Sequence, residues 1–236
     1  MKKILLASAL VLAIAVSTAV AQEVLSQNAV GYIKKTIPAG GKLVAMSIPL
    51  NNMNEGTIVF GRTSVAQEAP PNSYVYFWNP TSQAWEGGIK SPAGGGRWGP
   101  LQSNYVVQAG EGFFLKSPAT STEDIEVTIT GEVPAEATLA RAIPGGGALG
   151  TMGNPYPVDF TFGKSDLALN ATPNSYVYFW NPTNQAWQGG IKSPAGGGRW
   201  GPLQSNYVVQ AGEGFFLKEA ATVNQWVPER PYSWPN

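Results

Sequence analysis

Residues 71–116 read PNSYVYFWNPTSQAWEGGIKSPAGGGRWGPLQSNYVVQAGEGFFLK. Residues 173–218 repeat them at an offset of 102, with two changes: Ser82 becomes Asn184, and Glu86 becomes Gln188. Within the block, Ser73 to Trp78 is rich in aromatic and β-branched residues and reads as a strand. Asn79 to Gln83 is a turn, because Pro80 fixes one φ and Asn79 favours a local side-chain bond. Ala84-Trp85-Glu86 starts the return strand of a β-hairpin. Gly87 to Pro100 reads as a loop, with the bulk of Ile89, Arg97 and Trp98 standing among six glycines. Asn104 to Gln108 and Phe113 to Lys116 are strands on either side of a tight turn at Ala109 to Gly112. On the first strand Tyr74, Tyr76 and Trp78 share one face, and Val75 and Phe77 the other. A strand apolar on both faces is expected to be covered on both.

The repeat continues upstream in weaker form. Ile37-Pro38-Ala39-Gly40-Gly41 matches Ile143-Pro144-Gly145-Gly146-Gly147, and Phe60-Gly61-Arg62 matches Phe162-Gly163-Lys164. Val30 to Ile33, Leu43 to Met46 and the alternating Ile125 to Thr130 read as further strands. A short helical turn is expected near Thr57 to Phe60. The unit is thus about 100 residues, the size of a duplicated domain rather than a solenoid repeat. The expected fold is all-β: two tandem modules, each a β-sandwich or a partly open β-barrel. The near-identity reflects either tight constraint or recent copying, and the identity of even the turn residues favours copying.

The ends complete the division. Lys2 and Lys3, the apolar run from Ile4 to Val16 and Ala19-Val20-Ala21 form a signal peptide cleaved before Gln22. The domains are then a signal peptide at 1–21, β modules at 22–125 and 126–218, and an extended C-terminal arm at 219–236. That arm, with three Pro and two Trp after Gln225, either packs on its own domain or docks on a neighbour. The expected location is outside the cytoplasm: periplasm, cell surface or medium. After the signal peptide no apolar run is long enough for a spanning helix.

An N-terminal Asn28-Ala29-Val30-Gly31-Tyr32, then Gly110-Glu111-Gly112-Phe113-Phe114, then Gly131-Glu132-Val133-Pro134 resembles a family of uncharacterised secreted proteins of planctomycete and verrucomicrobial bacteria. The resemblance implies a signal peptide and two halves, each with a Gly-Glu-Gly/Ser-Phe-Phe turn. It carries no activity and no site.

Composition excludes much chemistry. The 236 residues include no His and no Cys. No His- or Cys-based catalytic triad, zinc site or disulfide can form. Loss of Lys2 and Lys3 takes the 15 basic residues to 13 against 15 acidic, with no basic stripe to follow a nucleic-acid backbone. Gly110-Glu111-Gly112 precedes a strand, so it is a hairpin turn and not a dinucleotide fingerprint; Glu111 is expected to bond turn amides or face solvent. Gly94 to Gly99 lacks the Gly-Lys-Ser/Thr of a phosphate loop. Paired carboxylates for glycoside hydrolysis are missing too: the block keeps only Glu111 and Glu213 in both copies, while Glu86 is replaced by Gln188. Asp124, Glu126, Asp159 and Asp166 have no repeat partner, and no calcium loop appears. We expect no enzyme, no cofactor and no metal. Asn170-Ala171-Thr172 fits a glycosylation acceptor, a pattern common by chance.

Two functions remain. One is a structural or interaction protein of the cell envelope or extracellular layer, self-associating through a sheet edge or aromatic patch. The other is a bivalent carbohydrate-binding protein whose partner is an extracellular glycan. Its candidate contacts are Trp85, Arg97 and Trp98 in one copy and Trp187, Arg199 and Trp200 in the other, because flat aromatic faces stack on sugar rings. The competing role for these Trp residues is core or module interface.

Overall fold

The computed structural model describes residues 29–53, 57–93, 95–195, 198–221 and 224–234. The expected signal peptide at 1–21 lies outside the described residues. In the first module the chain runs β1 (Val30–Ile37), β2 (Leu43–Ser47), β3 (Ile58–Val59), a 3-10 turn (Phe60–Arg62), α1 (Ser64–Glu68), β4 (Tyr74–Asn79), β5 (Ala84–Ile89), α2 (Pro100–Ser103), β6 (Val106–Val107), β7 (Gly112–Lys116) and β8 (Ile125–Glu132). The second repeats this order: β9 (Arg141–Ile143), β10 (Leu149–Gly153), β11 (Phe160–Thr161), a 3-10 turn (Phe162–Lys164), α3 (Asp166–Asn170), β12 (Tyr176–Asn181), β13 (Ala186–Ile191), α4 (Pro202–Asn206), β14 (Val208–Val209), β15 (Gly214–Lys218) and β16 (Asn224–Trp226). Each module is built on an antiparallel four-stranded sheet, β2-β7-β4-β5 or β10-β15-β12-β13. Two-stranded ladders flank each sheet: β1-β8 and β3-β6 in the first module, β16-β9 and β11-β14 in the second. The fold is all-β, duplicated and sandwich-like, with no closed barrel among the described residues.

The hairpin forms as its residues dictate. Asn79 Oδ1 accepts from the amides of Thr81 and Ser82 at 3.0 Å each. Gln83 takes φ +51°, and its side-chain amide donates to Pro80 O at 2.7 Å. Trp78 then pairs with Trp85 in register. Val75 and Phe77 point into the core, where Phe60 meets Phe77, Trp98 and Phe113 edge-on at centroid distances of 5.2, 5.3 and 5.8 Å. Such pairs add about 0.5–1.5 kcal/mol each beyond area burial.

Several local expectations are corrected. The segment after Glu86 is not all loop: β5 runs on through Gly87 and Gly88 to Ile89, and Lys90 bridges to Trp98. The glycines are there because other groups occupy the space of a Cβ. One on Gly87 would lie 2.5 Å from the Tyr76 ring, and one on Gly88 2.2 Å from the Gln102 side chain. The helical turn lies later than Thr57 to Phe60. It is a 3-10 turn at Phe60–Arg62 followed by α1, where the Thr63 hydroxyl caps the amide of Ala66. The strand expected over 104–108 shrinks to Val106–Val107, because Asn104 still caps α2.

The module division also shifts. β8 pairs with β1 from Val30↔Glu132 to Ile37↔Ile125, so the cut at 125/126 passes through a strand that completes the first module. Side chains of α1 cover that strand: Thr128 N donates to Glu68 Oε2 and Thr130 N to Ser64 Oγ. The described part of the expected C-terminal arm is likewise joined to the second module. β16 pairs with β9, and Trp226 is buried against Phe160.

Candidate functional site

The two sheets meet through the face that carries Tyr74, Tyr76 and Trp78 in one module and Tyr176, Tyr178 and Trp180 in the other. Trp78, Phe114, Trp180 and Phe216 pack with Ala45 into a third buried cluster between the modules. Most polar contacts there occur twice; the bond from Ser47 Oγ to Glu213 O has no counterpart, because Gly153 stands in the equivalent place. Trp78 Nε1 donates to Leu149 O at 2.7 Å, and Trp180 Nε1 to Leu43 O at 3.0 Å. The Gln83 amide brackets the backbone of Leu149, and the Gln185 amide brackets that of Leu43. Ser47 N donates to Gly212 O and Gly153 N to Gly110 O, both at 2.9 Å. The modules are therefore related by a pseudo-two-fold axis. Gly112 and Gly214 permit the approach, since a Cβ on either would lie 2.6 or 2.5 Å from the carbonyl of Met152 or Met46.

The six sequence candidates do not converge. Trp98 and Trp200 are 7% and 8% exposed. Their indole N–H groups donate to Ala66 O and Ala168 O, and their rings pack edge-on against Phe60 and Phe162. Arg97 and Arg199 are exposed on the neighbouring loop, away from any aromatic platform that the buried rings could supply. The core role weighed for the Trp residues is the one these two fill, and it leaves their faces closed to a ligand. Trp85 and Trp187 differ: they are 39% and 40% exposed and lie on the opposite sheet face, at the module junction.

Around these two the structure assembles residues of the strand expected to be covered on both faces. The rings of Tyr74 and Tyr76 lie parallel within 9°, with centroids 6.1 Å apart. Tyr76 meets Trp85 at 6.5 Å, and Trp85 meets Phe216 at 5.5 Å. Phe216 meets Trp187 at 5.0 Å, Trp187 meets Tyr178 at 6.4 Å, and Tyr178 lies parallel to Tyr176 at 6.2 Å. The result is one aromatic strip that crosses both modules through the pseudo-axis. Two grooves flank it. A larger one of about 450 Å³ is lined by Trp78, Trp85, Leu149, Tyr178, Trp187 and Lys218, among others. A smaller one of about 290 Å³ is its symmetry counterpart, lined by Leu43, Tyr76, Trp85, Phe114, Trp180 and Trp187. The alternation of the YVYFW stretch was the signal for the strip, because it sets the three rings on one face.

The strip's electrostatics are simple. Burial pushes the Tyr76 and Tyr178 phenols above their ordinary range, with Tyr74 and Tyr176 adding to the effect, so both stay neutral. An ammonium stands at each end: Lys116 Nζ is 5.6 Å from the Tyr74 ring centroid, and Lys218 Nζ is 5.9 Å from that of Tyr176.

Several titratable groups elsewhere are committed to structure. Glu111 takes the Tyr105 hydroxyl on Oε1 at 2.6 Å and the Gln108 amide on Oε2 at 2.8 Å. Glu213 does the same with Tyr207 and Gln210. These carboxylates bond a turn amide, as expected, and a phenol in addition. Burial drives the Glu213 carboxyl upward and the Lys35 amine downward, each opposed by the charge of the other. Lys90 and Lys192 are buried and close the ends of α1 and α3, each donating to three carbonyls. Among the described residues no three His, Cys, Asp or Glu side chains gather as a metal site, and no helix is long and apolar enough to cross a membrane. No family model, no curated protein and no solved structure matches the chain.

Proposed function

We propose that the protein is an exported, non-catalytic carbohydrate-binding protein that holds an extended glycan along the aromatic strip. The observation that carries this reading is the run of rings from Tyr74 through Trp85 and Trp187 to Tyr176, part-exposed except at the buried Phe216 that joins the two indoles. Parallel tyrosines and flat indoles offer π-faces to the C–H faces of successive pyranose units. The neutral phenols supply hydroxyl donors beside them. Two like half-sites on one rigid body strengthen binding to a polymer by effective concentration, without new contacts.

Self-association is the second reading, and the pseudo-axis favours it: an apolar strip with two-fold symmetry can meet a second copy of itself face to face. Sheet-edge assembly has less support. Gln102 Nε2 occupies the carbonyl of Gly87, and Lys90 pairs with Trp98, so β5 is open only near Ala84 to Glu86.

The deciding experiment takes wild type and Trp85→Ala/Trp187→Ala through co-sedimentation with insoluble polysaccharides and velocity sedimentation over a wide concentration range. The glycan reading expects a wild-type monomer that is retained on polysaccharide and a folded variant that is not. Retention of both proteins alike would refute it. A wild-type dimer that the variant loses would install the self-association reading instead.

A further inference from the structure

Resting on the glycan reading, we infer that the ligand is an acidic saccharide, with one anionic group read at each end of the strip by Lys116 and Lys218. The two lysines occupy equivalent positions in the duplicated block and the same register positions, opposite Tyr74 and Tyr176 on the central strand. Their ammonium groups sit over the terminal rings. Neither has a carboxylate within ion-pair distance among the described residues, in contrast to Lys34, whose Nζ meets Glu126 Oε1 at 2.7 Å. The larger groove carries Lys218 as its one charged lining residue, and the smaller carries none. The acids adjacent in sequence turn away from the strip: Glu86 accepts from Asn79 Nδ2 at 2.6 Å on the other face of its strand, and Glu219, next to Lys218, is fully buried and accepts from the Thr172 and Ser175 hydroxyls. The strip therefore presents positive charge and no negative charge, and an anion placed there meets attraction at both ends.

The number and spacing of the cations select the class of polyanion. Two ammoniums bracket a long run of rings, so the strip has no charge to follow a phosphate at every unit. Single-stranded nucleic acid is held by a groove that tracks the backbone with basic residues throughout. A carboxylated or sulfated polysaccharide, whose units are largely apolar on their faces and carry the charge at the rim, matches rings in the middle and lysines at the ends.

The test is calorimetric titration of the purified protein with oligogalacturonate, cello-oligosaccharide of equal length and oligothymidylate. Lys116→Met/Lys218→Met is the comparison, because Met keeps the packed stem and removes the charge. We expect the acidic oligosaccharide to bind about tenfold more tightly than the neutral one at low salt, as two exposed ion pairs predict. Added salt and the double variant should each abolish that preference, weakening the acidic ligand about tenfold more than the neutral one. Equal affinity for the two saccharides, insensitive to salt, would overturn the inference and leave the glycan reading standing. Binding of neither would overturn the glycan reading itself. Tighter binding of oligothymidylate than of either saccharide would overturn the acidic-saccharide assignment in favour of a nucleic-acid strand.

Discussion

Trp98→Ala tests the difference between a structural and a presented indole. The ring is buried among Phe60 and the residues around it, and its N–H donates to Ala66 O at 2.8 Å. Removing a large buried aromatic costs about 3–5 kcal/mol, because the transfer term and the residual cavity add. The hydrogen bond contributes little of this. Ala66 O keeps a second donor, Lys90 Nζ at 2.9 Å, so truncation leaves no orphaned carbonyl. Trp98→Phe keeps an aromatic ring while removing the N–H and part of the ring volume, and should cost only about 1–2 kcal/mol. Urea unfolding followed by far-ultraviolet circular dichroism gives the midpoint and slope for each variant, and the slope checks that the denatured state is unchanged. The reasoning fails if Trp98→Ala unfolds within about 1 kcal/mol of wild type, or if Trp98→Phe is as costly as Trp98→Ala.

The Tyr105 and Tyr207 phenols are driven upward, chiefly by burial and then by the adjacent carboxylates Glu111 and Glu213. The folded state therefore holds two protons that the unfolded chain releases near pH 10. Their stabilisation is full below that pH and is lost as pH rises, at about 1.4 kcal/mol per unit for each residue. Denaturation midpoints between pH 9 and 11 should fall steeply in wild type and less so in Tyr105→Phe/Tyr207→Phe; equal slopes would contradict the assignment. Ser73 and Ser175 occupy equivalent places in the repeat yet should respond differently. Ser175 Oγ donates to Glu219 Oε1 and accepts from Ala220 N, whereas the buried Ser73 Oγ has no protein partner. Ser175→Ala should cost about 1–3 kcal/mol and Ser73→Ala close to nothing; equal losses in thermal unfolding would refute the contrast.

That contrast marks what a repeat can and cannot disclose. Position 219 holds Glu where position 117 holds Ser, one residue past the duplicated block, and this change rewires a serine that is the same in both copies. The hairpin, the module count and the strands at Leu43, Phe113 and Ile125 were legible, because alternation and turn chemistry act within a few residues. The parity of Tyr74, Tyr76 and Trp78 was legible for the same reason. What covers their face was not: the second module buries Trp78 and leaves Tyr74 part-exposed, a result of docking rather than of local pattern. Trp85 and Trp98 look alike in sequence, each a lone indole among small residues. Only the continuation of β5 through Gly87 and Gly88 sends one to the junction while the return of the chain sends the other inward. The division at 125/126 falls inside β8, because sheets are completed by pairing, and β1 recruits that strand from beyond the near-identical block.

The doubled interface creates an ambiguity of identity. Because residues 71–116 and 173–218 are nearly the same, the hairpin of one molecule can replace that of another without altering a contact at the junction. Surface complementarity does not tell self from neighbour here; the short connection at 133–140 does, by holding the right partner at high local concentration. The C-terminal segment fastens that connection. Tyr232 Oη donates to Pro134 O, Arg230 Nη1 to Ala135 O, and Arg230 N to Ala137 O. Bonds from Arg230 and Tyr232 thus tether the connection itself, and such tethering opposes domain swapping, a hazard that near-identical modules carry during folding.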